Sequence, residues 1–193
     1  PSDDRNRLPA DPDYATARKR WDYCPKSLKA LFTHAFTIGL EESVNRVTEG
    51  EWQRLFLQLK DGGIACPNCH AENLWEPGLT ALNCWHCREP IHLPPKLVFT
   101  HASGKHYVLL RKDATILERH INPMVEADAS KVIGQVVQNP ANPHVWGIRN
   151  LTNTPWTARL PDGTMVEVAA QKARPINAGL QLNIGGTVAE INP

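Results

Sequence analysis

The sequence predicts an α+β protein with N-terminal helices, a four-cysteine zinc ribbon and a C-terminal antiparallel β-sandwich. Three observations lead to this fold class. Apolar residues recur at steps of three and four between residues 28 and 59, two close cysteine pairs follow, and after residue 92 short apolar runs alternate with turn residues. We therefore predict a helical segment over residues 1–60, a ribbon over 61–93 and a sandwich over 94–193.

The helical segment carries two amphipathic stripes. The first stripe consists of Leu28, Leu31, Phe32, Ala35 and Phe36. A second helix is predicted to begin at Thr48, because Glu51 stands three residues later, as in a capping box. This helix continues through Trp52, Leu55, Phe56 and Leu59. Two such helices bury little surface alone, so we expect their apolar faces to need a partner.

Four cysteines form two pairs, Cys66 with Cys69 and Cys84 with Cys87. Two thiolates separated by two residues bind one metal ion from a single turn, and a second such turn completes a tetrahedron. Four thiolates leave no open position for substrate or water, so we predict a structural Zn²⁺ site. Iron also accepts four thiolates, and the sequence does not distinguish the two metals.

Other interpretations of the cysteines are weaker. A disulfide framework suits small secreted domains, and this chain shows no signal peptide. A redox CxxC is expected once, beside a βαβ pattern. His70, His86 and His92 lie close enough in sequence to act as ligands, but with four thiols present we expect them at the surface or behind the ligands.

The residues after the ribbon read as short strands separated by turns. The predicted strands lie at 96–100, 106–110, 115–120, 132–137, 145–149, 156–160, 165–168, 173–176 and 182–191. Turn pairs such as Asp162-Gly163 and Gly185-Gly186 separate them. This spacing predicts an antiparallel sandwich.

Composition excludes several classes of function. The formal charge is +1, with 21 basic and 20 acidic residues, so no overall field favours nucleic acid or an anionic membrane. Residues 60–95 offer only Lys60 and Arg88 as basic residues, which argues against a nucleic-acid-binding zinc ribbon, the main alternative function. We expect a cytoplasmic protein.

One run of the helical segment is a candidate family motif: residues 21–32, followed by Ala35-Phe36, Gly39, Asn45-Arg46 and Glu51-Trp52. These residues resemble the last helices of the C-terminal lobe in certain bacterial Ser/Thr protein kinases. The resemblance implies that the chain is the C-terminal region of a longer kinase. No glycine-rich loop, strand lysine, HRD or DFG motif occurs in these residues, so we expect no phosphoryl transfer by the chain itself.

The C-terminal part has a characteristic order of short motifs, at residues 134–137, 146–152, 156, 162–164 and 180–186. This order is similar to that of a forkhead-associated domain, a sandwich that binds phosphothreonine. The family's arginine, serine and histidine set is not found here in the usual arrangement. Arg149 and Asn150 are the nearest candidates for an anion contact.

The order of kinase-like tail, zinc ribbon and forkhead-associated-like sandwich resembles kinases of tellurite-resistance-associated signalling triads. The resemblance implies a von Willebrand factor A-type protein as partner, and a PP2C-type phosphatase as a further one. We expect a non-catalytic docking region, with Trp75, Trp85 and Trp146 as candidate anchors. An enzyme using His101, His106 or His120 beside Asp113 or Glu118 is the remaining alternative.

Overall fold

The structure is a computed structural model that describes residues 10–102, 104–123 and 130–193. The chain forms two compact units, Pro1–His92 and Leu93–Pro193. Helices lie in the first unit and antiparallel sheets in both, which confirms the α+β class. The first nine residues of the predicted helical segment lie outside the described residues. Among the helices of the described part, none is long and apolar enough to cross a membrane.

Four α-helices are described in the first unit. They are α1 (Ala15–Tyr23), α2 (Lys26–Ala35), α3 (Ile38–Glu41) and α4 (Glu49–Asp61). The capping box at the start of α4 is confirmed: the Glu51 N–H donates to Thr48 Oγ1, and the Thr48 N–H donates to the Glu51 carboxylate. Leu55 and Leu59 are the buried residues of α4, one helical turn apart.

The last turn of α4 leads directly into the ribbon. Gly62 follows the helix, and its carbonyl accepts a hydrogen bond from the Trp75 N–H at 2.9 Å. A Cβ on Gly62 would lie 2.2 Å from the Trp75 carbonyl oxygen, so this close approach requires glycine. Trp75 itself is buried, and its indole N–H donates to the Leu79 carbonyl. Helix and ribbon are therefore joined by backbone contact as well as by sequence.

The ribbon consists of two short antiparallel hairpins. The first pairs β1 (Gly63–Ala65) with β2 (Glu72–Leu74), and the second pairs β3 (Leu82–Asn83) with β4 (Pro90–Ile91). Ile64 pairs with Asn73 in the first hairpin, and Leu82 pairs with Ile91 in the second. The two hairpins therefore have the same arrangement, and each has one cysteine pair in the turn between its strands.

The second unit contains a six-stranded and a four-stranded sheet, in which all pairings are antiparallel. The strands are β5 (Lys96–His101), β6 (Gly104–Leu109), β7 (Thr115–Leu117), β8 (Val132–Asn139), β9 (Asn142–Asn150), β10 (Trp156–Arg159), β11 (Met165–Val168), β12 (Ala173–Pro175), β13 (Gln181–Ile184) and β14 (Thr187–Asn192). The strand orders are β11-β10-β13-β14-β5-β6 and β12-β9-β8-β7.

Residues from both sheets share one hydrophobic core. Phe99 and Leu182 come from the larger sheet and Val136 and Ile148 from the smaller one, and all four are essentially inaccessible to solvent. All four belong to the same cluster of buried residues, so one face of each sheet is directed inward. The core therefore lies between the sheets.

The third predicted strand ends earlier than the sequence indicates. The apolar alternation predicts extended backbone to His120, but β7 stops at Leu117 and a 3-10 turn spans Glu118–His120. The His120 ring is fully buried and its Nδ1 accepts a hydrogen bond from the Leu117 N–H at 3.0 Å. This side-chain bond stabilises the turn in place of a strand ladder.

Candidate metal centre

The two cysteine pairs occupy equivalent turns at the hairpin tips. In the first turn, the His70 N–H donates to the Cys66 carbonyl at 3.0 Å, and the Cys66 N–H donates to Ala71. In the second, the Arg88 N–H donates to the Cys84 carbonyl at 3.0 Å, and the Cys84 N–H donates to Glu89. The structure therefore forms the same tight cysteine turn, here called a knuckle, twice.

Each knuckle is closed by a residue in the left-handed region. His70 has φ 61° and Arg88 has φ 69°, although neither is glycine. Such a conformation costs about 1 kcal/mol or more for a residue with a Cβ. The strain occurs at the residue after each second cysteine, where the chain must turn back so that both sulfurs face the same point.

The four sulfur atoms converge on one point. All four lie within 4.8 Å of one another, with Cys66 and Cys87 Sγ at 3.6 Å and Cys69 and Cys84 Sγ at 3.5 Å. These distances are far longer than a disulfide bond of about 2.0 Å. A tetrahedral zinc with Zn–S bonds of about 2.3 Å places its sulfurs about 3.8 Å apart, so the cluster fits such an ion.

The pKa values of two of the thiols, Cys69 and Cys84, are shifted in opposite directions. Burial raises the pKa of the Cys84 thiol, but backbone N–H groups of Cys87 and His86 and the Asn73 amide lower it to about 6. The Ala71 N–H lowers the pKa of Cys69, yet burial and the three other sulfurs outweigh it and raise the value to about 12. Four adjacent thiolates repel one another, so full ionisation needs a bound cation.

Asn73 bridges the two knuckles, and the sequence interpretation missed it. The side chain is 3% exposed. Its amide nitrogen donates to the Ala71 carbonyl at 2.8 Å and approaches Cys84 Sγ at 3.7 Å, while its oxygen accepts from the Trp85 N–H at 3.0 Å. Groups behind the ligands in this way orient them. Asn73 faces Ile64 in the hairpin register, but no local sequence signal marks the residue.

The nearby histidines do not join the cysteines. His70, His86 and His92 are all exposed, and the cluster of metal-ligating groups found among the described residues contains the four cysteines alone at this point. Cys24, the fifth cysteine, lies in the turn after α1, where its Sγ faces the Arg20 carbonyl at 3.6 Å.

The other candidate residues of the sequence lie in the second unit. His106 and His120 bring their ring centroids to 5.0 Å, and His101 Nε2 contacts the His120 carbonyl at 2.9 Å. Glu118, by contrast, is paired with Lys131 at 2.8 Å. The structure thus brings the three histidines together and directs Glu118 to another partner.

Asn150, a candidate for anion binding, has its polar atoms bound within the protein. Its side chain is fully buried, and its amide donates to the Thr154 and Val168 carbonyls. Its oxygen accepts from the Thr152 N–H and hydroxyl. Asn150 therefore organises a loop and offers no free group to a ligand, whereas Arg149 is exposed.

No protein-family model, no curated protein and no solved structure matches this chain. The four-cysteine cluster is thus defined by its own geometry. That geometry supports a site able to hold a metal ion such as zinc.

Proposed function

We propose that this chain is a non-catalytic docking region of a bacterial Ser/Thr protein kinase, in which a structural Zn²⁺ ion stabilises the ribbon. The partner is a von Willebrand factor A-type protein, with a PP2C-type phosphatase as a further component of the same signalling system. The kinase, the tellurite-resistance setting and the partners rest on the sequence resemblance. A reducing compartment such as the cytoplasm suits a protein with four clustered thiols.

The observation that carries the docking role is the distribution of exposed apolar side chains. Seven of the eleven large exposed hydrophobics in the described residues lie between Tyr14 and Phe56, in the helical segment. Apolar surface concentrated in this way marks interaction sites in soluble proteins. The proposed docking surface therefore lies on the helices, and the ribbon holds them.

Five rings on or directly after α1, α2 and α4 form a continuous aromatic cluster: Trp21, Phe32, Phe36, Trp52 and Phe56. Phe32 lies at its centre, with ring centroids 6.1 Å from Trp21, 5.9 Å from Phe36 and 4.8 Å from Trp52. Trp52 stacks in turn on Phe56 at 5.8 Å. Aromatic side chains are frequent anchors in protein interfaces, since each buries a large area on binding.

The three tryptophans selected from the sequence differ in accessibility. Trp75 is 4% exposed and belongs to the core of the first unit, so it is not available as an anchor. Trp146 is half-buried against the core of the second unit. Trp85 is 38% exposed, but its indole N–H donates to the Glu72 carbonyl within the ribbon.

The test is a binding measurement between the purified chain and the von Willebrand factor A-type protein encoded near the parent kinase. Phe56→Ser, at a 51% exposed position of the aromatic cluster, should weaken binding about tenfold or more. Met165→Ser, at a 60% exposed position in the second unit, is the matched control and should bind normally. Unchanged binding by Phe56→Ser, or phosphoryl transfer by the chain alone, would contradict the proposal.

A further inference from the structure

Three side chains of the ribbon, Glu76, Trp85 and Arg88, contact the helices α1 and α2. Glu76, just after β2, contacts the first turn of α2, while Trp85 and Arg88, in and after the second cysteine pair, contact Tyr23 at the end of α1. We infer that metal binding controls the conformation of α1 and α2, so that the aromatic cluster is correctly presented only by the metal-loaded protein. This inference rests on the metal centre and docking role proposed above.

Glu76 supplies the N-terminal cap that α2 lacks in its own sequence. The residue before the helix is Pro25, and no side chain from that position caps it. Both carboxylate oxygens of Glu76 instead accept hydrogen bonds, one from the Lys26 N–H at 2.7 Å and one from the Ser27 N–H at 3.0 Å. Glu76 is 8% exposed, so these unpaired amides are satisfied by a residue that the ribbon positions.

Tyr23 packs against two residues of the second knuckle. The Arg88 guanidinium lies 4.6 Å from the ring centroid and donates to the tyrosine hydroxyl, and the Trp85 ring lies 6.1 Å away. Arg88 follows Cys87 and adopts the left-handed backbone conformation, and Trp85 lies between Cys84 and Cys87. Both positions therefore depend on closure of the knuckle around the metal.

The same two helices carry most of the aromatic cluster. Trp21 lies on α1, two residues before Tyr23, and Phe32 and Phe36 lie on and just after α2. A helix of this length has little stability of its own in water, so loss of its cap and its neighbours frays it. Loosening the ribbon would accordingly disturb the rings on which docking depends.

Coupling of this kind acts in both directions. If metal binding orders the helices, then the contacts that order the helices must raise metal affinity by the same factor. The coupling can therefore be measured in two ways: through the hydrogen-exchange protection of the amides in α1 and α2, or through the affinity for the metal.

The first experiment is hydrogen exchange on the full chain, comparing zinc-loaded protein with protein stripped by a chelator. Amides of α1 and α2 should exchange about tenfold or more faster without metal. Strands β13 and β14, whose Leu182 and Ile191 are fully buried in the second unit, serve as an internal reference and should not change. Metal content is measured on the same samples.

The outcomes separate this inference from the proposals beneath it. Protein that binds no zinc would overturn the metal centre and the coupling together. Protein that binds one zinc per chain, yet shows the same exchange in α1 and α2 with and without it, would overturn the coupling alone. Faster exchange in the stripped protein that is confined to the helices and ribbon is the expected result.

The second experiment compares Glu76→Gln with Glu89→Gln. Each substitution removes one carboxylate from the ribbon, but the Glu89 side chain is exposed and its backbone carbonyl, which accepts from Cys84, is retained. Glu76→Gln should speed exchange in the first turn of α2 and lower zinc affinity about threefold to tenfold in chelator competition. Glu89→Gln should change neither.

Equal changes in both variants would show that the effect comes from the lost charge, and this would overturn the coupling. Wild-type exchange and zinc affinity in Glu76→Gln would overturn it as well.

Tyr23→Leu tests the second contact independently, because it removes the ring and hydroxyl that face Arg88. It should speed hydrogen exchange in α1 and lower zinc affinity, as Glu76→Gln does. Wild-type zinc affinity and wild-type exchange in this variant would also refute the inference.

Discussion

Replacing Cys66 with serine tests the metal centre directly. Cys66 is fully buried, and its sulfur lies 3.6 Å from that of Cys87. Structural zinc contributes an apparent binding free energy of about 10–16 kcal/mol in small zinc domains, or about 3 kcal/mol for each of four ligands. Since 1.4 kcal/mol corresponds to about a factor of ten, losing one ligand should weaken zinc binding about a hundredfold.

The assay is competition with a chelator of known affinity, followed by thermal unfolding of the same protein. We expect Cys66→Ser to release zinc at lower chelator concentration and the first unit to unfold at lower temperature. Cys24→Ser is the matched control, because Cys24 is a free cysteine of the same unit outside the cluster. Zinc retention and melting equal to the wild type in Cys66→Ser would refute the coordination by four sulfurs.

Three further predictions concern the helices and their contacts. Gly62→Ala should destabilise the first unit by about 2–3 kcal/mol, because its Cβ would collide with the Trp75 carbonyl, whereas Gly50→Ala, with 3.6 Å of clearance, should be neutral or stabilising in thermal unfolding. Thr48→Ala removes the side-chain acceptor of the α4 capping box and should cost about 1 kcal/mol in urea unfolding, with an unchanged m-value; a loss below the error of the measurement would contradict this. Burial raises the pKa of the Glu76 carboxyl, but the N–H groups of α2 outweigh burial, so the pKa is lowered in the folded protein. The difference in stability between wild type and Glu76→Gln should therefore be present near pH 7 and shrink as the pH falls through the folded pKa. A difference that does not depend on pH would exclude the charged cap.

Local signals in the sequence predicted the parts of the fold that depend on neighbouring residues. Two cysteines separated by two residues have a bite that suits one metal ion, so the cluster could be predicted without a tertiary structure. The capping box of α4 was predicted for the same reason, because both partners lie within one turn. The alternation of apolar residues likewise predicted most strands of the second unit, and it failed at His120, where a side-chain bond to the Leu117 N–H ends the strand.

Contacts between distant residues were not predictable from the sequence. Glu76 carries no local sequence signal for its role, since the helix that it caps begins 50 residues earlier, at Lys26. Asn73 likewise carries none, yet it lies buried between the knuckles. Asn150 was expected to be available to an anion, and the folded loop binds both ends of its amide.

The sequence by itself determined which side chains can bind a metal and how the apolar residues repeat in each segment. The reason is that the spacing of residues along the chain sets what a short stretch can bind and which of its faces can be buried. Only the tertiary structure decided that helix α2 is capped from the ribbon, that Tyr23 packs against the second knuckle, and that five aromatic rings of the helical segment form one cluster. The physical reason is that such contacts depend on the path of the backbone between the partners, which no local pattern encodes.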